Sequence, residues 1–363
     1  MQSASRLAAD IPGTLARHRM AVYTGLHRSF LEQLSDDYNF GSILNVTVIP
    51  HGSVNSNHLI EAARGRYLLR IDEVKTEGEV KREIDLLAFL REHSFPCPRP
   101  LQDRRGRYCR EYFGKCASLY RYHYGRIIPV ARLRPSQLET IGRTLGKLHI
   151  IGKSYKKGID NRFSFERIAD LYLNIRGRLP NYFRKFSQTL GDEVDYLTRY
   201  LEAKLPKGVI HGDLFAENLR FRGEKLTAVL DFEAACRGKF IFDIATAVNA
   251  LSFVDGRYSL DRFRYLMHGY ESVRTLSLAE WDAFPNELRY SSLRFTITRL
   301  HDFLLKPVNG EQRVDKNFRE FFDRLRILRR EREGGMEGVL MAMATGYDYR
   351  RYQKVKANER LKA

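Results

Sequence analysis

Three short apolar segments near the start of the chain, 44–49, 58–62 and 67–72, have the β-branched and aliphatic character of strands. A small polar turn, 50–57, separates the first two, and Arg64-Gly65-Arg66 separates the last two. From residue 77 to 93 the period becomes helical, with Ile84, Leu87 and Leu90 on one face. Two further strands are expected at 108–113 and 117–124, joined by a Gly-Lys turn. Residues 125–129 have linker character. Beyond them the pattern is mainly helical: one helix marked by Ile141, Leu145 and Leu148, then 164–176, 192–204, 240–253, 260–275, 287–305 and 316–331. Short strands around Val209-Ile210, 219–221 and 228–231 interrupt it. The expected class is therefore α+β and bilobal. A helical extension (1–36) precedes a β-rich lobe (37–124). A helical lobe (125–335) and a basic tail (336–363) complete the chain.

Bulk properties narrow the setting. No apolar run approaches the roughly 20 residues that span a bilayer, so no membrane partner is expected. The first 20 residues lack the apolar stretch of a secretory signal. Four cysteines form no C-x-x-C pair and no zinc spacing, which favours a reducing compartment and a cytoplasmic location. The net charge of +18 fits a phosphate-bearing partner or a solvated basic exterior. Much of the excess lies in the C-terminal stretch and no nucleic-acid module accompanies it, so the solvated exterior is preferred over a nucleic-acid surface.

Residues 211–243 carry the chemistry. The run His211-Gly212-Asp213-Leu214-Phe215-Ala216-Glu217-Asn218 is followed by a hairpin, then by Leu230-Asp231-Phe232-Glu233 and Phe242-Asp243. An Asp and an Asn near a turn are ordinary turn chemistry. An apolar strand ending in Asp231, at this offset, adds the spacing a kinase needs. Asp213 would take the proton of an acceptor hydroxyl. Asn218 and Asp231 would hold magnesium on the phosphates of a bound nucleotide. His211 is expected to pack beneath the loop and Asp243 to brace it from a helix N-terminus. In the first lobe Gly52, Ser53, Asn55, Ser56 and Asn57 offer a small-residue turn whose N–H groups could approach phosphate. Arg70, on the third strand, stands where a kinase carries its phosphate-pairing Lys, and Glu83 on the next helix is its natural partner.

The runs H-G-D-L-F-x-x-N (His211 to Asn218), D-F-x-x-A (Asp231 to Ala235) and F-D-I-A (Phe242 to Ala245) resemble the aminoglycoside phosphotransferase and choline kinase superfamily. The resemblance implies a protein-kinase-like fold that uses ATP and Mg2+ to phosphorylate small-molecule alcohols. Several details are similar to its homoserine kinase branch: Phe215 after Leu214, Cys236 in D-F-E-A-A-C, the turn Gly52 to Asn57, and the helix Leu293 to Phe303. Glu233 departs from that branch, which commonly has Tyr there. For an amino-acid acceptor, Arg294 or Arg299 would reach the carboxylate and Glu233 the ammonium. Other acceptors (choline, an aminoglycoside, a sugar, hydroxylysine) and a non-catalytic binding protein are the competing readings. Oligomeric state is not legible.

Overall fold

The computed structural model describes residues 24–49, 55–304 and 317–333. Gly52 and Ser53, the first 23 residues and the basic tail beyond 333 lie outside the described residues.

Strict alternation of burial in β2 (Ser56–Ala62) shows a strand with two different faces. It pairs antiparallel with β1 (Ile43–Val48) and with β3 (Gly65–Asp72), setting Asn57 opposite Arg70 and Ser56 opposite Ile71. Two minor strands, β4 (Arg99–Pro100) and β5 (Cys109–Tyr112), both pair with β6 (Lys115–Arg121), which also pairs with β3. The sheet order is β1-β2-β3-β6-β4, with β5 alongside β6. Cys109 and Cys116 form a disulfide across the β5–β6 hairpin, a bond that so sparse a cysteine pattern does not predict.

Odd-numbered residues of β3 (Tyr67, Leu69, Ile71) pack with Phe30 and Leu34 of α1 (Arg28–Tyr38). Even-numbered residues face the other way, Arg70 toward Glu83 of α2 (Glu77–Glu92). Thr76 starts α2 with a reciprocal capping box to Glu79. Its buried residues Leu86, Leu87 and Leu90 run into the core of the second lobe.

The expected linker is pinned. Arg126 and Phe221 exchange two backbone hydrogen bonds of 2.8 and 2.9 Å. After it come α3 (Pro135–Ser154), α4 (Phe165–Arg176) and α5 (Arg184–Tyr200). Next come β7 (Lys207–Ile210), the hairpin β8 (Leu219–Arg222) and β9 (Lys225–Val229), and β10 (Cys236–Lys239), which pairs with β7. Then α6 (Phe240–Leu251) is followed by β11 (Phe253–Val254) and β12 (Arg257–Tyr258). The lobe ends with α7 (Leu260–Glu271), α8 (Leu278–Leu304) and α9 (Arg319–Glu333). All twelve residues of α6 are buried, so it is the axle of the lobe.

Two helices begin earlier than the apolar period suggests. α5 starts at Arg184, about two turns before the expected 192, launched by a short 3-10 turn at Asn181–Phe183. α8 starts at Leu278 where 287 was expected, and passes through Pro285, a residue costly inside a helix. Ser277 and Glu280 cap it reciprocally, and Ala283, Phe284 and Leu288 are buried on either side of the proline. The closest packing joins α3 to α7. A Cβ on Gly142 would lie 1.9 Å from the Leu266 carbonyl oxygen, and one on Gly269 2.0 Å from that of Glu139.

Candidate active site

β7 delivers the chain to His211 at the lobe junction. There Gly212 adopts φ +73°, and a Cβ would meet the Ala234 carbonyl oxygen at 2.9 Å. The loop is held from below by Asp243, fully buried in the first turn of α6. Its two oxygens accept the N–H groups of His211 (2.8 Å) and Gly212 (2.7 Å). The same carboxylate meets Nε2 of buried His149 on α3 at 3.0 Å, and His149 Nδ1 meets the Tyr270 hydroxyl at 2.7 Å. Burial pushes the His149 ring below its ordinary pKa and outweighs the Asp243 carboxylate. Burial alone would raise Asp243, but its bonds to His149 and the loop hold it below the usual carboxylate range. His211 Nε2 faces the Leu230 carbonyl at 2.9 Å, and its Nδ1 accepts the Asp213 N–H at 3.2 Å.

Asn218 donates from Nδ2 to the Asp213 carbonyl at 2.9 Å, and its own carbonyl accepts the Leu230 N–H at 2.7 Å. One bond thus closes the loop and the other ties it to the residue before Asp231. Asp231 has left-handed φ 61° and ψ 70°, which turns its side chain out of the strand. Its carboxylate opens onto the cleft but is walled by protein elsewhere. Desolvation, then repulsion from Glu233, Asp213 and Glu83, pushes it up to about 7. Such a concentration of negative charge suits an incoming cation.

The opposite wall comes from the sheet. Arg70 meets Glu83 at 2.9 Å, Asp72 at 3.3 Å and Glu233 at 3.9 Å, with its guanidinium 5.3 Å from the Tyr120 ring centroid. Lys75 meets the other oxygen of Glu83 at 2.6 Å and Glu233 at 3.4 Å. Burial works to raise Glu83, but these two cations hold it at about 2. Asn55 donates to Glu233 and accepts the Glu73 N–H. The turn after β1 and the segment after Asp231 are therefore in contact across the lobes.

The Ser56 side chain is engaged on the far side of the sheet. Its hydroxyl donates to Glu73 and accepts the Thr24 N–H. The pleat puts it on the face opposite Arg70, so its side chain does not enter the cleft. Asn57 lies on the Arg70 face. The two arginines of α8 separate. Arg294 is buried between the rings of Phe163 (4.0 Å) and Phe295 (3.8 Å), donates to the Gly212 carbonyl at 3.2 Å and lies 3.6 Å from Asp213 Oδ1. Its Nε is buried without a hydrogen-bond partner. Arg299 instead meets Glu320 at 2.8 Å and the Asn317 carbonyl at 3.1 Å, and stacks on Phe321. It ties α9 to α8 and is committed away from the cleft.

Two residues of this site escape sequence reasoning. Lys75 follows β3 by three residues, and a second cation ahead of the Glu83 helix was the available signal. His149 sits on the buried side of α3, where a histidine among Ile141, Leu145 and Leu148 was the clue. Among the described residues no three His, Cys, Asp or Glu side chains gather to hold a metal by themselves. One carboxylate and one amide, Asp231 and Asn218, suit an ion that keeps waters and phosphate oxygens as its other ligands.

A β-rich lobe facing a helical lobe, with this loop between them, defines a kinase-like phosphotransferase acting on a hydroxyl. The chain belongs to the phosphotransferase enzyme family, whose model matches residues 45–276. It is 32% identical over 312 residues to the homoserine kinase of Parvibaculum lavamentivorans, covering 85% of this chain and 96% of that one. The homoserine kinase of Xanthobacter autotrophicus is 32% identical over 310 residues, with the same coverage. Among solved structures, an amicoumacin kinase in complex with AMP-PNP and Ca2+ superposes with TM-score 0.64 at 17% identity, covering 84% of this chain and 92% of that one. A microcompartment-associated aminopropanol kinase superposes with TM-score 0.62 at 19% identity, covering 84% and 98%. At those identities the structures speak for the fold.

Proposed function

We propose that the protein transfers the γ-phosphoryl group of ATP to the hydroxyl of L-homoserine. The observation that carries the reading is the placement of Asp213 and Asp231 on one cleft floor, facing the Arg70–Glu83 pair. Similarity to homoserine kinases over most of the chain supports the acceptor.

Arg70, kept extended by Glu83, would pair with nucleotide phosphate oxygens. Asn218 and Asp231 would hold magnesium, which neutralises phosphate charge when bound. Asp213 receives the hydroxyl proton as the acceptor oxygen bonds to the γ-phosphorus and the bridging bond to the β-phosphate breaks, releasing ADP with that electron pair. Arg294 would bind the substrate carboxylate through its unpartnered Nε edge. Its 3.6 Å distance from Asp213 would bring a four-carbon amino alcohol's hydroxyl to the base. Glu233 would receive the ammonium, exchanging its present contacts with Lys75 and Arg70.

The test is ADP release by the purified protein against L-homoserine, choline, ethanolamine, an aminopropanol and an aminoglycoside. Homoserine should give the highest kcat/KM. Arg294→Ala should raise the homoserine KM at least tenfold while leaving the KM for ATP within a factor of about two. Preferential turnover of another alcohol would overturn the acceptor and leave the reaction class intact.

A further inference from the structure

A second cavity lies outside the cleft. The turn after α2, the outer face of α3 and the β8–β9 hairpin enclose a groove of about 670 Å³, within the usual range for small-ligand sites. Its walls differ in chemistry. Phe95, Ile151, Leu226 and Ile150, the last 51% exposed, supply an apolar side. Arg143, Lys147 and Lys225 supply three cations, none with a carboxylate partner among the described residues. Arg143 is half-buried, so its charge faces the groove without the full hydration of a free surface residue. The one acidic lining residue, Glu224, is engaged by Arg134 and by the Ser136 hydroxyl. Local charge is thus strongly positive beside an apolar wall.

We propose that this groove is a binding site for a small organic polyanion, a phosphorylated or polycarboxylate molecule with an apolar portion. Charge complementarity selects the anionic end and Ile150 with Leu226 the apolar end. The groove also adjoins the catalytic strand. Lys225 and Leu226 begin β9, which ends at Val229, two residues before Asp231. The carbonyl of Pro96, a lining residue, accepts the Val229 N–H at 2.7 Å, so one wall of the groove is hydrogen-bonded to the end of that strand across the lobes. None of Arg70, Asp213, Asn218 and Asp231 lines the groove, so an occupant does not compete for the nucleotide cleft. None of this depends on which alcohol is phosphorylated.

The experiment uses the full chain with its cleft saturated by Mg2+ and AMP-PNP, and 1-naphthyl phosphate and citrate as probes in calorimetric titrations. Naphthyl phosphate should bind at one site per chain, more tightly than citrate, and weaken as salt is raised. The triple variant Arg143→Gln, Lys147→Gln, Lys225→Gln should weaken it at least tenfold while leaving the melting temperature and probe-free turnover unchanged. Lys225→Glu alone provides the same test by charge reversal should the triple variant be unstable. The proposal is overturned by any of three results: no probe binding, probe binding that AMP-PNP displaces, or binding that survives the substitutions. An oligonucleotide that binds where both small anions fail would likewise overturn it, marking the face as a general basic surface.

Discussion

His149 Nε2 lies 3.0 Å from Asp243 Oδ2, both residues fully sealed from solvent. Through this contact α3 supports the carboxylate that holds the His211–Gly212 backbone. With its pKa lowered by burial, His149 favours the neutral form in the folded protein, while in the unfolded chain it titrates at about 6.5. Below that pH the unfolded state binds the extra proton, so stability is lost as pH falls. The slope approaches about 1.4 kcal/mol per pH unit. Asp231 and Glu287, each raised to about 7, and Asp72, raised to about 6, take up protons in the folded state over the same window and act in the opposite sense. The His149 contribution is therefore read by denaturant unfolding as the difference in stability change between pH 7.5 and 5.5 for the parent chain and His149→Gln, the variant losing less as pH falls. Part of the slope will persist, because His58 and His123 are shifted downward by burial in the same direction. An unchanged slope in the variant would contradict a neutral His149.

Asp213 should be indispensable to turnover and nearly irrelevant to nucleotide affinity. Asp213→Ala is expected to lower kcat by about 10³-fold, with the dissociation constant of Mg2+–AMP-PNP within a factor of about three. Near-normal turnover in that variant would remove Asp213 from the reaction.

Asn218 should reveal itself through metal demand. Asn218→Ala is expected to raise the Mg2+ concentration for half-maximal turnover by about tenfold, and chelation of Mg2+ should abolish ADP release reversibly. An unshifted Mg2+ titration would assign the metal to other groups.

Glu83 accepts from both Arg70 and Lys75, and this sharing predicts non-additivity. Arg70→Ala or Lys75→Ala alone leaves the carboxylate one cation. The double substitution leaves a buried charge with neither. Its loss of stability should exceed the sum of the single losses by about 1–2 kcal/mol. Additive losses would show that the two cations serve Glu83 independently.

The reaction class was legible because its residues are local. Asp213, Asn218 and Asp231 sit on a loop and the hairpin after it, and spacing along the chain is nearly spacing in the cleft. The support was less legible because it is long-range. Nothing local tells that Asn55 meets Glu233, 178 positions away, or that His149 meets Asp243, 94 positions away. The direction of the Ser56 side chain was not legible because a turn motif says nothing of the pleat, which begins at that residue and sends the side chain to the far face. Arg294 and Arg299 look alike in sequence, yet their places on α8 send one to the loop and the other to α9. The helix expected from 287 starts at Leu278, because the burial that carries α8 through Pro285 comes from Phe284 and Leu288 and not from the local pattern.

At Gly142 and Gly269 the main chains of α3 and α7 rest directly on each other. Two turns further along α3 stands His149, and immediately after Gly269 stands Tyr270, its hydrogen-bond partner. The bare contact therefore acts as a gauge block: it sets the gap that the imidazole must bridge. A single methyl group at either glycine would act far from the nucleotide, widening that gap and loosening the platform on which phosphoryl transfer is aligned.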